Sequence, residues 1–119
     1  MRSFVKIYGV SKHTELAKKF YKAFSEADRD SVEKLLASDF TLWSPPDHFL
    51  DRSGFFDLAW PGAAGHVKHH FVRLIEQGDE VVVTYEETMP DGTKKRNTEV
   101  LTFTDDKIRK SEIYFGWKV

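Results

Sequence analysis

The sequence predicts an α+β domain, because helical spacing of apolar residues fills its first part and period-two alternation fills its last part. Amphipathic helical segments lie before residue 61, and four strands separated by short turns occupy residues 67–117. Helices that precede an antiparallel meander are typical of α+β domains. With 119 residues and no linker-like stretch, we expect one domain spanning residues 1–119.

Two helices are predicted first. Leu16, Phe20 and Phe24 recur at intervals of four, which predicts an amphipathic helix over residues 11–27. The segment Asp30-Ser31-Val32-Glu33 has the residue types of a capping box, so a second, shorter helix is expected to begin there.

A short strand and a third helix connect these helices to the rest of the chain. Phe40–Trp43 has strand-forming residues and is stopped by Pro45-Pro46. Asp51 is expected to cap a third helix, which Pro61-Gly62 would end.

Four strands complete the chain, at residues 67–76, 80–88, 96–104 and 108–117. Their connectors all contain residue types that favour tight turns: Gln77-Gly78-Asp79, Pro90-Asp91-Gly92 and Asp105-Asp106-Lys107. Successive short turns predict an antiparallel meander.

Composition excludes several classes of protein. The net charge is −1 and both signs are interspersed, so we expect no nucleic-acid partner. The absence of cysteine excludes disulfides, thiol catalysis and cysteine-ligated metals. The start of the chain lacks the apolar region of a signal peptide, and no apolar run reaches membrane length. These observations predict a cytoplasmic protein with no membrane partner.

Carboxylates within apolar strands are the most informative feature of the sequence. Glu99 runs directly into Val100-Leu101-Thr102-Phe103, and Glu112 runs into Ile113-Tyr114-Phe115. A buried carboxylate is costly unless it is paired, hydrogen-bonded or in a wet cavity. We therefore expect these strands to form the wall of a pocket.

Strand alternation assigns the residues that line this pocket. Asn97 and Glu99 share a strand face with Leu101, which is apolar and is therefore expected to be buried in the core. On the last strand Glu112 and Tyr114 share a face, which a β-bulge would change. The expected lining is Trp43, Tyr85, Asn97, Glu99, Glu112 and Tyr114, with Phe56 and Trp60 from the third helix as a lid.

This lining favours acid–base chemistry. Desolvation in an aromatic pocket raises the pKa of a carboxylate, which can then move a proton at neutral pH. Glu99 is the candidate base, and Tyr114 or Tyr85 could donate a hydrogen bond to a developing oxyanion. Glu112 and Asp47 are the further catalytic candidates, with Asp47 held at the pocket mouth by the preceding prolines.

Other roles stay open for these residues. Arg52 could orient a pocket carboxylate or an anionic ligand. Arg52 and Trp117 are candidate ligand-binding residues in addition to the pocket lining given above. Alternatively, Glu99 would simply pair with an arginine, the choices being Arg52, Arg73 and Arg96. Asp47 could instead form an Asx-type turn.

The histidine cluster does not predict a metal site. On a strand His69 and His70 point to opposite faces, and His66 and His70 are too far apart along the chain to chelate one ion. We expect no metal and no cofactor, and interpret the histidines as surface or dimer-interface residues.

Several short motifs and the order of elements together carry a resemblance that extends from about Thr14 to Trp117. The motifs are Phe40-Thr41 before Ser44-Pro45, Asp47, Asp51-Arg52, Trp60-Pro61, Arg96-Asn97-Thr98-Glu99, and Glu112 with Tyr114-Phe115-Gly116-Trp117. They resemble the nuclear transport factor 2-like (NTF2-like) superfamily, also called SnoaL-like or ketosteroid-isomerase-like, and within it the ketosteroid-isomerase-related proteins. The resemblance implies a cone-shaped α+β barrel, with the N-terminal helices packed in a strongly curved antiparallel sheet. It also implies a pocket at the open end and a homodimer through the outer sheet face.

The resemblance leaves three functions open. The first is a cofactor-free isomerase or lyase that uses Glu99 as base on a small, apolar, carbonyl-bearing substrate. The second is a non-catalytic small-molecule-binding module, and the third is an assembly domain that acts through its outer sheet face. Cyclase-type relatives often carry an acidic residue where this chain has Gly116, which argues against cyclase-like chemistry.

Overall fold

The computed structural model describes residues 12–45 and 49–119. The helical segments are α1 (Lys12–Ser25), α2 (Arg29–Leu35), α3 (Arg52–Gly54), a π-helical turn (Phe55–Ala59) and α4 (Trp60–Ala63). The strands are β1 (Leu36–Trp43), β2 (Leu50–Asp51), β3 (Lys68–Gln77), β4 (Glu80–Thr88), β5 (Lys94–Thr104) and β6 (Lys107–Lys118). None of the helices in these residues is long and apolar enough to cross a membrane.

One six-stranded sheet, in the order β2-β1-β6-β5-β4-β3, carries the helices on one face. The predicted meander of β3 to β6 is confirmed, and each of its strands pairs antiparallel with the next. Strand β1 returns to the sheet beside β6 and runs parallel to it. The result is the expected cone-shaped α+β fold.

Local signals placed the helices correctly but missed some of their ends. Asp28, and not Asp30, caps α2, since the Asp28 carboxylate accepts from the Ser31 amide at 3.2 Å. Asp51 caps α3 as predicted. Pro61 does not end the third helical segment, because it occupies the first turn of α4, where a proline needs no amide partner.

Strand β5 has the predicted alternation. Asn97, Glu99, Leu101 and Phe103 are all buried, whereas Thr98 and Val100 on the other face are partly exposed. The inward placement of Glu99 therefore follows from the period of the strand and the burial of its apolar neighbours.

The prediction for β6 was wrong because the strand contains a bulge. Thr102 pairs with Lys110 while Phe103 pairs with Ile108, so Arg109 is an extra residue. Beyond the bulge the strand faces are exchanged. The inward residues are Ser111, Ile113 and Phe115, and the outward residues are Lys110, Glu112 and Tyr114.

Candidate functional site

An aromatic chamber lies between α1, the helical segment that follows β2, and the inner face of the sheet. Its volume is about 260 Å³. Most of its wall is apolar and aromatic: Phe20, Tyr21, Phe24, Phe40, Leu42, Phe55, Ala59, Ala63, Tyr85, Ile113 and Phe115. Its polar lining consists of Ser44, His69, Glu87, Glu99 and Ser111. Such a cavity, apolar with a few convergent polar groups, has the character of a small-molecule site.

Glu99 is the polar centre of the chamber and accepts hydrogen bonds from three hydroxyl groups. Tyr21 from α1 donates to Oε1 at 2.9 Å, and Tyr85 from β4 donates to the same oxygen at 3.3 Å. Ser111 from β6 donates to Oε2. Within residues 12–45 and 49–119 the buried carboxylate has no arginine or lysine partner. Arg52, Arg73 and Arg96 bond to Glu33, Thr84 and Glu86 instead, so the pairing considered above was wrong.

Burial and hydrogen bonding act on the Glu99 carboxyl in opposite directions. Desolvation raises its pKa, and the hydroxyl donors Ser111, Tyr21 and Tyr85 lower it by less, so the net shift is upward. Burial and the nearby Glu99 charge raise the pKa values of the Tyr21 and Tyr85 hydroxyls well above the usual range. Both phenols therefore remain protonated donors at neutral pH.

His69 lines the chamber beside these tyrosines, which corrects its assignment to the surface. Its ring makes edge contacts with Tyr21 and Tyr85, at centroid distances of 5.0 and 4.9 Å. Its Nδ1 lies 3.1 Å from the Ser25 hydroxyl. Burial lowers the pKa of His69 to about 4, so the imidazole is neutral at physiological pH. The neighbouring His70 is exposed, as the opposite parity requires.

A second cavity of about 220 Å³ adjoins the mouth of the chamber. Glu87 and Phe115 line both spaces. Asn97 and Trp117 belong to this outer cavity, where the Asn97 Oδ1 accepts from the Gly116 amide at 3.2 Å. Burial raises the pKa of the Glu87 carboxyl at this junction.

Three predicted pocket residues lie on the opposite face of the sheet. Trp43 pairs with Glu112 across β1 and β6 and is 44% exposed. Tyr114 is 51% exposed, and its hydroxyl donates to Glu112 at 3.3 Å. The bulge at Arg109 explains the placements of Glu112 and Tyr114, because it reverses the faces of β6. Trp43 faces outward because it alternates with the buried Leu42 on β1.

The predicted lid residues and Arg52 also lie away from the chamber. Phe56 packs between the guanidinium groups of Arg29 and Arg52, at 4.3 and 5.4 Å from its centroid. Arg52 donates to the Glu33 carbonyl at 2.9 Å. Trp60 packs behind the lining residue Phe55. The π-helical turn has more residues per turn than an α-helix, so it presents Phe55 and Ala59 instead.

Asp47 lies outside the described residues. Among the residues predicted for the site, the structure brings Glu99 and Tyr85 together in the chamber, with Asn97 and Trp117 in the adjoining cavity.

Sequence reasoning missed Tyr21, Ser111 and His69. Tyr21 follows Phe20 on the apolar side of α1, and a hydroxyl on a core-facing helix side is a usable signal. Ser111 could be found only by knowing the bulge in β6. The alternation of His69 with the apolar Phe71 placed it on the inner face, but its cluster with exposed histidines obscured this.

The raised pKa of Glu99 gives a testable pH dependence of stability. A carboxyl whose pKa is higher in the folded than in the unfolded chain stabilises the fold below the unfolded value, about 4.3, and this contribution disappears as pH rises through the folded value. We expect the free energy of unfolding of Glu99→Gln, measured relative to that of wild type, to increase as pH increases from about 4 to 8. Urea unfolding measures it, and Glu80→Gln, at an exposed position, is the control. Parallel curves for wild type and Glu99→Gln would contradict the assignment.

Comparison with known proteins gives both a family and a fold. The model of the SnoaL-like domain matches residues 17–111. No curated protein matches the chain. Among solved structures, an NTF2-like protein from Cytophaga hutchinsonii is 18% identical, with a TM-score of 0.72, and the match covers 92% of this chain and 95% of that one.

Two further solved structures are described by a bound ligand or by an activity. TerC, co-crystallised with polyporic acid, is 23% identical with a TM-score of 0.75, and the match covers 89% of this chain and 92% of TerC. A candidate ketosteroid isomerase from Kribbella flavida is 17% identical with a TM-score of 0.77, over 88% of this chain and 78% of that one. At these identities the likeness establishes the fold alone.

Proposed function

Because this chain belongs to the SnoaL-like domain family of the NTF2-like superfamily, we propose that its aromatic chamber binds a small, mostly apolar, carbonyl-bearing molecule. Glu99 then acts on this ligand as a proton-transferring base, which makes the protein a cofactor-free isomerase or lyase. The observation that carries the proposal is a buried carboxylate that faces an aromatic cavity and accepts hydrogen bonds from three neutral hydroxyls, with no other partner among the described residues.

The size and lining of the chamber support a ligand of one or two rings. Typical ligand pockets have volumes of about 300–1,000 Å³, so a chamber of about 260 Å³ lies just below this range and suits a small ligand. Aromatic side chains such as Phe20, Phe40 and Phe55 would stack on a planar ligand or contact its edges. A bound ring would displace water from Glu99 and strengthen its electrostatic interactions.

Glu99 retains the capacity to accept a proton. A carboxylate offers about four lone-pair positions, and the observed hydroxyls occupy two on Oε1 and one on Oε2. Oε2 can therefore take a proton from the carbon next to a ligand carbonyl, while the released electron pair forms the enolate double bond and charge moves to oxygen. Return of the proton to another carbon would complete an isomerisation.

The same hydrogen bonds favour a second function, ligand binding without turnover. Donors that stabilise the ionised carboxylate also reduce its basicity, and Tyr21, Tyr85 and Ser111 all do so. In that case Glu99 would fix the tyrosine hydroxyls in place, and these groups would orient the ligand.

Deuterium exchange separates the two functions. α-Tetralone, a two-ring aryl ketone, carries an exchangeable hydrogen next to its carbonyl and is a suitable probe. We expect the wild-type protein in deuterium oxide to accelerate exchange at this carbon in a saturable manner, as followed by proton NMR. Saturable binding with exchange at the buffer rate would exclude proton transfer for this ligand class and favour the binding module.

We also propose a homodimer through the outer sheet face. Trp43, Tyr114 and Ile75 are exposed there, at 44%, 51% and 38%. Large apolar and aromatic side chains exposed on one face are typical of an interface. We expect twice the chain mass in sedimentation analysis, and a shift toward monomer in Tyr114→Lys. Leu58→Lys, which changes a 69% exposed residue of the helical segment, is the control. An unchanged mass in Tyr114→Lys would contradict this interface.

A further inference from the structure

His69 is a polar group of the chamber that the proton transfer described above does not use. It lines the same cavity as Glu99, and the rings of Tyr21 and Tyr85 contact it while their hydroxyls reach Glu99. Each of the two tyrosines therefore contacts both His69 and Glu99, and all four side chains line the same chamber. A ligand in the chamber would meet both groups.

The Ser25 contact fixes how the His69 ring is oriented. Ser25 ends α1, is absent from the chamber lining, and lies with His69 along a shallow surface groove. Its hydroxyl meets Nδ1 at 3.1 Å. The two nitrogens of an imidazole point in widely divergent directions, so Nε2 faces away from Ser25.

The same contact favours one tautomer. An imidazole nitrogen is a stronger acceptor than a hydroxyl oxygen, which favours donation from the Ser25 hydroxyl to Nδ1 and a ring proton on Nε2. We propose that His69 donates a hydrogen bond from Nε2–H to the carbonyl oxygen of the ligand, and that Ser25 is the positioning residue that holds this tautomer. This inference rests on the proposed function of the chamber as a ligand pocket.

A neutral imidazole suits this role. Burial lowers the pKa of His69 and keeps it uncharged at physiological pH, so it donates one hydrogen bond without adding a buried positive charge. When Glu99 removes a proton beside the carbonyl, negative charge develops on the ligand oxygen, and a donor aimed at that oxygen stabilises it. In this reaction His69 acts on the carbonyl oxygen of the ligand, and Glu99 acts on the adjacent carbon.

The first test reads the tautomer without any ligand. Long-range ¹H–¹⁵N NMR spectra of wild type are expected to place the proton of His69 on Nε2 at neutral pH. In Ser25→Ala the same spectra are expected to show a mixture of tautomers. A proton on Nδ1 in wild type, or an unchanged tautomer in Ser25→Ala, would overturn the role of Ser25.

The second test reads the ligand, with α-tetralone labelled with ¹³C at its carbonyl. We expect a downfield shift of the bound carbonyl signal in wild type, in Glu99→Gln and in His70→Phe, the exposed neighbour. The shift should be lost in His69→Phe and partly restored in His69→Gln, which again offers an N–H donor. Equal shifts in wild type and His69→Phe would overturn the proposal.

Kinetics give the third readout and separate this inference from the proposed function. His69→Phe is expected to lower kcat for deuterium exchange by about 10²–10³-fold, the usual loss for one oxyanion donor, with a smaller change in KM. An unchanged kcat would overturn the catalytic part. If wild type does not catalyse exchange but the carbonyl shift still depends on His69, proton transfer fails and His69 stands as the ligand's hydrogen-bond donor.

Discussion

Replacing Glu99 by glutamine is expected to lower deuterium exchange into α-tetralone by about 10²–10⁴-fold, the usual contribution of a positioned general base. Glutamine keeps the shape of the side chain, so Tyr21, Tyr85 and Ser111 retain a polar partner and the chamber retains its lining. The loss should fall on kcat, because the amide can contact the ligand but cannot take its proton. Proton NMR of the ketone measures the rate.

Two control measurements make this result specific. Glu112→Gln alters the other carboxylate that the strand pattern singled out, which lies on the outer face beside Lys110 at 3.7 Å. Glu112→Gln should leave the exchange rate unchanged. The second measurement is the carbonyl signal of bound α-tetralone, which should show that the Glu99→Gln variant still binds the ketone in its chamber. Full exchange activity in Glu99→Gln would remove Glu99 from the mechanism and leave the chamber as a binding site.

Gly116→Ala is expected to lower the free energy of unfolding by about 2–3 kcal/mol, toward the upper end of the cost of overpacking. A Cβ at this position would collide with the backbone carbonyl oxygen of Arg96, which a side-chain rotation cannot relieve. The register of β5 and β6 shifts between Arg96 and Asn97, so Gly116 forms the bulge that lets the strands approach. Urea unfolding provides the measurement.

Gly62→Ala is the matched control, since a Cβ there meets no atom within 4 Å. Gly62 lies in α4, where alanine has the higher helix propensity, so this variant should gain about 0.5–1 kcal/mol. If the change in the free energy of unfolding is negative for Gly116→Ala and positive for Gly62→Ala, the loss of stability is specific to the β5–β6 bulge. A cost below about 0.5 kcal/mol in Gly116→Ala would show that the strands relax around the new methyl group.

The Gly116 geometry also accounts for a departure noted in the sequence. The resemblance to cyclase-type relatives implies an acidic residue at this position, where this chain has Gly116. In this backbone any side chain at position 116 would meet the Arg96 carbonyl. The carboxylates that line this chamber come instead from β4, as Glu87, and from β5, as Glu99.

The sequence by itself determined the order of the helices and strands apart from the two-residue strand β2, the meander, and the inward direction of Glu99. These depend on local periodicity, turn chemistry and the burial of apolar residues along one strand, which a short window of sequence contains. Tyr85 was found in the same way, because it alternates with Val81 and Val83, which are fully buried.

The tertiary structure alone decided which side chains meet Glu99. Tyr21 comes from a helix 78 residues earlier in the chain, and no local pattern measures that distance. Ser111 replaces Glu112 in the chamber because one extra residue at Arg109 reverses the faces of β6. A single-residue change in register moves every later side chain to the other face of a strand, so the site depends on pairing between strands, which period-two alternation within one strand does not specify.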